Sequence, residues 1–191
     1  MRYSPDHKDL TRQRIIDTAS LLFKERGIDA TGIALVMSTA ELTNGAFYAH
    51  FTSKEALVEA VITDQVDKQI EEFAEFPHTI EGVKTIVAAY LSQKHRDNCA
   101  AGCPSAALLD EIGRRSETTK EAYSANMLRL VDSFQDHFSD LDTEQTRSLV
   151  FSLLGLLIGT LQLARAMTNG EVSDTILESG QTAALRLIET R

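Results

Sequence analysis

The segment Thr43-Asn44-Gly45-Ala46-Phe47-Tyr48-Ala49-His50-Phe51-Thr52-Ser53-Lys54 constrains this chain more than any other. Phe47 and Phe51 stand four apart, on one face of a short helix, and anchor that helix to a core. Thr43 is positioned to cap it, its hydroxyl accepting one of the free amides of the first turn. The groups left to face outward, Asn44, Gly45, Ala46, Tyr48 and His50, include no carboxylate. Amides, hydroxyls and small groups without negative charge suit a surface of phosphates and base edges. A second short helix precedes this one, with Thr31 as its expected cap and Ile33, Val36 and Met37 facing inward. Only a turn at Ala40-Glu41-Leu42 separates the two, so the pair reads as a helix-turn-helix.

The remainder of the chain is also helical in pattern. Ile15, Ile16, Ala19, Leu22 and Phe23 recur at helical spacing over residues 10–26, and Gly27 closes the segment. Ser53 caps the helix after the recognition segment, which runs to about residue 73, and Pro77 ends that element. Further helices are expected over about 79–96, 104–115, 117–138, 143–168 and 173–190. No strand-period alternation longer than a few residues and no internal repeat is present. The expected fold is therefore all-α, with nine helices in two parts. Residues 1–57 form an N-terminal three-helix group that carries the segment suited to phosphates and base edges, and residues 58–191 form a helical bundle.

The net charge of −9 is unevenly distributed. Residues 1–57 carry seven Lys/Arg and seven Asp/Glu, so the acidic excess lies wholly in the second part. The first part can approach a polyanion while the second is repelled, which orients the molecule. The N-terminus has no apolar signal region, and the uncharged run 148–164 is shorter than the ~20 residues of a membrane span. A cytoplasmic protein without a disulfide framework is expected. No phosphate loop, His-Glu-x-x-His pair or nucleophile elbow occurs, so an enzyme is not expected, nor a cofactor or a metal.

Arg14-Ile15-Ile16, Ala19, Leu22-Phe23, Gly27, Thr31, Ala40, Leu42 to Tyr48, His50-Phe51 and Ser53-Lys54-Glu55 together resemble the DNA-binding domain of tetracycline-repressor (TetR) family regulators. The resemblance covers about residues 10–57. It implies a homodimeric repressor that binds a palindromic double-stranded operator and is released by a small-molecule effector, with residues 1–57 as its helix-turn-helix DNA-binding domain and residues 58–191 as its ligand-binding and dimerisation domain. By the same resemblance Thr43, Asn44 and Ala46, beside Gly45, lie at the major groove. Tyr48, His50, Thr31 and Lys54 hold backbone phosphates. Three positions depart from the family pattern: Glu41 stands for the usual turn glycine, Met37 for a common alanine, and Asn44 for a frequent Lys or Arg.

Beyond the DNA-binding group, an apolar effector cavity is expected from Tyr90, Met127, Phe134, Phe151 and Leu154, with Cys103, Glu111, Tyr123 and Gln162 as polar contacts. Two readings of Cys103 are open. It precedes Pro104 at a helix start, where a thiol can have a lowered pKa and sense oxidants or electrophiles; or it is a small apolar residue in a tight loop. His95, Cys99 and Cys103, four apart, lack a fourth ligand for zinc. Leu156 and Gly159, with Ile176, Gly180, Ala183, Ala184 and Leu187, are expected to form a four-helix dimer interface.

Overall fold

The computed structural model describes residues 5–190, with side chains from residue 7 onward. Among the described residues there are ten α-helices and no strand. They are α1 (Pro5–Arg26), α2 (Ile33–Thr39), α3 (Asn44–Phe47), α4 (Lys54–Ala74), α5 (Ile80–Tyr90), α6 (Gln93–Asp97), α7 (Pro104–Gly113), α8 (Glu117–Asp132), α9 (Thr143–Arg165) and α10 (Gly170–Glu189). A 3-10 turn over Gln135–Phe138 follows α8.

Side-chain caps fix most of these starts. The hydroxyls of Ser53, Thr79, Ser92 and Ser116 each accept an amide three residues on. Asp142 and Gln145 form a reciprocal capping box at α9. The one long helix expected over 79–96 is two, because Leu91 leaves helical geometry at ψ 35° and the Ser92 hydroxyl starts α6. The helix expected to reach residue 138 stops at Asp132, where the Ser133 hydroxyl turns back to the Leu130 carbonyl at 2.7 Å.

The helices enclose two apolar cores. Ile15, Ile16 and Phe23 of α1 pack with Val36 and Met37 of α2, Phe47 of α3, and Leu57, Val58, Val61 and Ile62 of α4. The second core joins Phe73, Val83, Val87, Leu130, Leu153, Leu157, Leu161, Leu177 and Ile188. By length and composition α9 could cross a membrane, yet its apolar face is the spine of this second core.

Two helices belong to both cores. In α4, Leu57 to Ile62 enter the first and Val66 and Phe73 the second. In α7, Cys103 and Ala106 at the start enter the second core, and Leu108 and Ile112 near the end enter the first. Leu108 and Ile112 are each 2 % exposed, and each contributes about 1.5–3 kcal/mol of burial to a seat between α1 and α4.

The far end of α7 also holds the first core by polar contacts. Glu111 Oε1 accepts the Ile28 amide at 3.1 Å, and Oε2 accepts the Asp29 amide at 2.9 Å. Gly27 permits this approach: its φ is +88°, and a Cβ there would lie 2.6 Å from Glu111 Oε1. Arg115 ties the same corner to Asp29 and to Glu55 on α4.

Candidate nucleic-acid interface and effector cavity

The recognition segment presents the expected surface. Phe47 is wholly buried and Phe51 nearly so, with ring centroids 5.6 Å apart. Thr43, Asn44, Gly45 and Tyr48 are exposed, Ala46 and His50 half-buried. Tyr48 is 70 % exposed, held edge-on by Phe47 at 5.3 Å. Thr43 stands at the cap position, but its side chain makes no cap hydrogen bond, so the hydroxyl remains on the outer surface. Lys54 is half-buried in the first turn of α4.

Thr31 is the exception. Its side chain is wholly buried, and its hydroxyl donates to the Gly27 carbonyl at 2.8 Å. The cap of α2 is Gly32. Thr31 therefore locks the loop between α1 and α2 from inside and is not a phosphate contact.

Two cations missed by the sequence reading join this surface. Lys8 and Arg12, four apart on α1 and both exposed, lie close enough to His50 to depress its pKa, after the larger effect of burial. The Arg12 guanidinium sits 4.9 Å from the Phe51 ring centroid, which fixes its direction. The His50 Nδ1 atom is buried without a partner. The i, i+4 spacing of Lys8 and Arg12 was visible in the sequence; their nearness to residue 50 was not.

A cavity of about 500 Å³ lies in the second part. Gln69 and Phe73 of α4, Phe76 beyond its end, Ile86 and Tyr90 of α5, and His95, Gly102 and Cys103 are among its lining residues. The Tyr90 phenol is buried and its oxygen has no hydrogen-bond partner. Burial, helped by the nearby Cys103 thiol, pushes its pKa well above the usual phenol value. His95 Nε2 accepts the Cys103 amide at 3.0 Å, which leaves Nδ1 to donate to the Tyr90 carbonyl at 2.7 Å. Both ring nitrogens are thus committed, the imidazole is neutral, and burial lowers its pKa. That nitrogen is not free to join the two cysteines on a metal.

Lys24 of α1 reaches the same loop from the other side. It is buried, and Nζ donates to Gln65 Oε1 at 2.8 Å and the Gly102 carbonyl at 3.1 Å. The Cys99 thiol donates back to the Lys24 carbonyl at 3.2 Å. Burial lowers the lysine pKa, and the Cys103 and Cys99 thiols oppose that shift.

Of the nine expected cavity residues, only Tyr90 and Cys103 line this space. Glu111 holds the α1–α2 loop instead. The Tyr123 hydroxyl is paired with Ser105 at 2.9 Å. Phe134 packs edge-on to Phe73 in the second core, Leu154 is buried there too, and Met127 packs against it. Phe151 and Gln162 are exposed on α9. The cavity walls from α4 were missed because an apolar stripe at helical spacing reads equally as core.

The outer face of α9 and α10 carries exposed Gly155, Gly159 and Ala183, with Phe151, Leu163 and Val172 also exposed. Leu156, Ile176 and Leu187 are partly buried against their own core. Gly180 and Ala184 are buried within the chain, and a Cβ on Gly180 would collide with Thr160 of α9. These two serve packing of α10 on α9 and are not on the free face.

Comparison with known proteins agrees with this anatomy. Residues 15–61 match the family described as bacterial regulatory proteins, tetR family. The HTH-type transcriptional regulator UidR of Escherichia coli K12 is 31 % identical over 85 residues, spanning 44 % of this chain and 43 % of that protein. The chain therefore matches less than half the length of that relative. The HTH-type transcriptional repressor NemR of E. coli K12 is 28 % identical over 117 residues, 59 % of each chain. The crystal structure of reduced E. coli NemR has a TM-score of 0.74 at 20 % identity, covering 91 % of this chain and 94 % of that one. A TetR-family regulator from Agrobacterium tumefaciens gives 0.71 at 16 % identity, over 92 % and 98 %. The helix-turn-helix core, residues 15–61, thus matches the tetR family of bacterial regulatory proteins in sequence, and the whole chain shares its fold with solved structures of that description.

Proposed function

We propose that the protein is a homodimeric, cytoplasmic transcriptional repressor that binds a palindromic operator through α3 and releases it when a small molecule occupies the cavity beside Tyr90. The observation that carries this reading is the double membership of α7. Its first residue follows Cys103 in the cavity wall, and its last turn holds the α1–α2 loop through Glu111, joined by Arg115 just beyond its end. A shift at one end of so short a rod changes the seat of the helix-turn-helix at the other. The long helix α4, which also borders the cavity and enters both cores, is a second rod. An effector must favour the arrangement in which two recognition helices stand wrongly spaced, since equal affinity for both shifts nothing. Two half-sites about 34–36 Å apart are what a two-fold dimer needs. The exposed apolar and glycine-bearing face of α9 and α10 is the surface for that dimer.

The test is a gel-shift titration against the DNA upstream of the protein's own gene. Tyr48→Ala should weaken binding at least tenfold while the dimer survives, since Tyr48 touches its own chain chiefly through the Phe47 edge contact. Unchanged affinity would remove Tyr48 from the interface.

One observation favours a second reading, in which Cys103 is a redox or electrophile sensor. Its thiol lies in the cavity wall, in a loop whose Gly102 carbonyl is bound by the buried Lys24 ammonium. The relative NemR has been solved in a form described as reduced. On this reading a modified Cys103 displaces the start of α7. Release of DNA by oxidant from a Cys103→Ser variant would exclude it.

A further inference from the structure

The cavity that the proposed function assigns to an effector has a chemistry of its own. Its walls are apolar and partly aromatic, through Phe73, Phe76 and Ile86. Two charged residues reach it, Glu72 and Lys94; both are exposed at its edge, and their charges are opposite. Inside, every polar group is neutral. His95 has both nitrogens committed to the backbone, Gln69 is a buried carboxamide, and Cys103 is a thiol. The Lys24 ammonium is on the far side of Gly102, bound to that residue's carbonyl and to Gln65.

Within this neutral lining one fully buried donor is without a partner. The Tyr90 hydroxyl is buried, has no partner, and is held in its protonated form. A buried donor without an acceptor is costly, and a ligand that supplies the acceptor recovers that cost. A carboxylate or phosphate would instead surrender its hydration with no buried cation in the lining, since Lys94 stands exposed at the edge opposite in charge to Glu72, and Lys24 and Arg165 are bound to backbone carbonyls outside it.

We propose that the cavity selects uncharged, largely aromatic molecules bearing a carbonyl-type acceptor, which takes the hydrogen bond of the Tyr90 phenol. This rests on the reading of the cavity as an effector site and narrows it to a class. A volume of about 500 Å³ is ample for a two-ring compound.

Three compounds of one ring system separate the contributions: 1-acetonaphthone, 1-naphthoate and 1-ethylnaphthalene. Calorimetric titration of the full chain at pH 7.4 should give a dissociation constant for the ketone at least tenfold below both others. Tyr90→Phe should bring ketone and hydrocarbon within twofold of one another, while hydrocarbon binding persists and reports an intact cavity. Naphthoate binding as tightly as the ketone would overturn the proposal. So would a ketone preference that survives Tyr90→Phe, or no ketone binding up to its solubility. The same preparations enter the gel shift. Tyr90-dependent ketone binding without DNA release refutes the regulatory reading and leaves the ligand class standing. DNA binding with no ketone preference does the reverse.

Discussion

Glu41 gives a prediction whose size follows from geometry. It occupies the turn between α2 and α3 at φ +54°, the one non-glycine with positive φ among the described residues. A side chain in that conformation costs about 1–2 kcal/mol, because its Cβ crowds the following carbonyl. Glycine relieves the strain, but its freer unfolded chain returns about 0.5–1 kcal/mol of that. Glu41 also pairs with Arg14 at 2.6 Å, with side chains 82 % and 50 % exposed, so losing the pair costs only a few tenths of ~1 kcal/mol. Glu41→Gly should therefore stabilise the protein by roughly 0.5 kcal/mol, and Glu41→Ala, which keeps the strain and loses the pair, should destabilise it slightly. The gap between the two variants, about 0.8 kcal/mol, corresponds to roughly 2–3 °C in melting temperature for a chain of this length. Thermal unfolding at one fixed protein concentration measures it, since a dimer's midpoint shifts with concentration. If the glycine variant melts at or below the alanine variant, strain at Glu41 is not a real term in this turn.

Three further outcomes are expected. A Cβ on Gly45 would meet nothing within 4 Å, so Gly45→Ala should leave or slightly raise stability; if backbone approaches DNA there, operator affinity should fall about tenfold, and full affinity would put the duplex elsewhere. Glu111→Gln keeps the shape but leaves a neutral acceptor for one of the two amides and an NH2 donor facing the other, so operator affinity should hold within about threefold while effector-induced release weakens; equal release in both proteins would remove α7 from the pathway. His137 is buried with both nitrogens unpaired against His78 and Phe134, and burial, then His78, lowers its pKa. Burial lowers His50 and His95 likewise, so below about pH 6.5 the unfolded chain binds more protons than the folded one and stability declines with acid. His137→Leu should flatten that decline in urea titrations between pH 8 and 5.5; an identical slope would mean the titration lies in other groups.

Local order was legible and distant pairing was not. The short helix after Thr43 and its two buried phenylalanines follow from spacing within about twelve positions, and the structure keeps them; the left-handed turn at Glu41 was marked by its departure from the glycine of the family it resembles. Thr31 was misread because a threonine before a helix looks like a cap, while its hydroxyl turned inward to Gly27. Glu111 was misread because its partners, Ile28 and Asp29, lie more than eighty residues away. His137 is buried because α8 stops early and a 3-10 turn folds the ring inward, an arrangement with no signal in the local spacing. The split at Leu91 carried only the faint signal of a serine among good helix formers.

The residence of Leu108 and Ile112 in the first core bears on how chains of this fold can be recombined. A graft that exchanges only the first sixty residues for those of a cousin would set a foreign α1 and α4 against these two side chains. A functional chimera has to carry the closing turns of α7 along with its new head, as a plug moves with its socket.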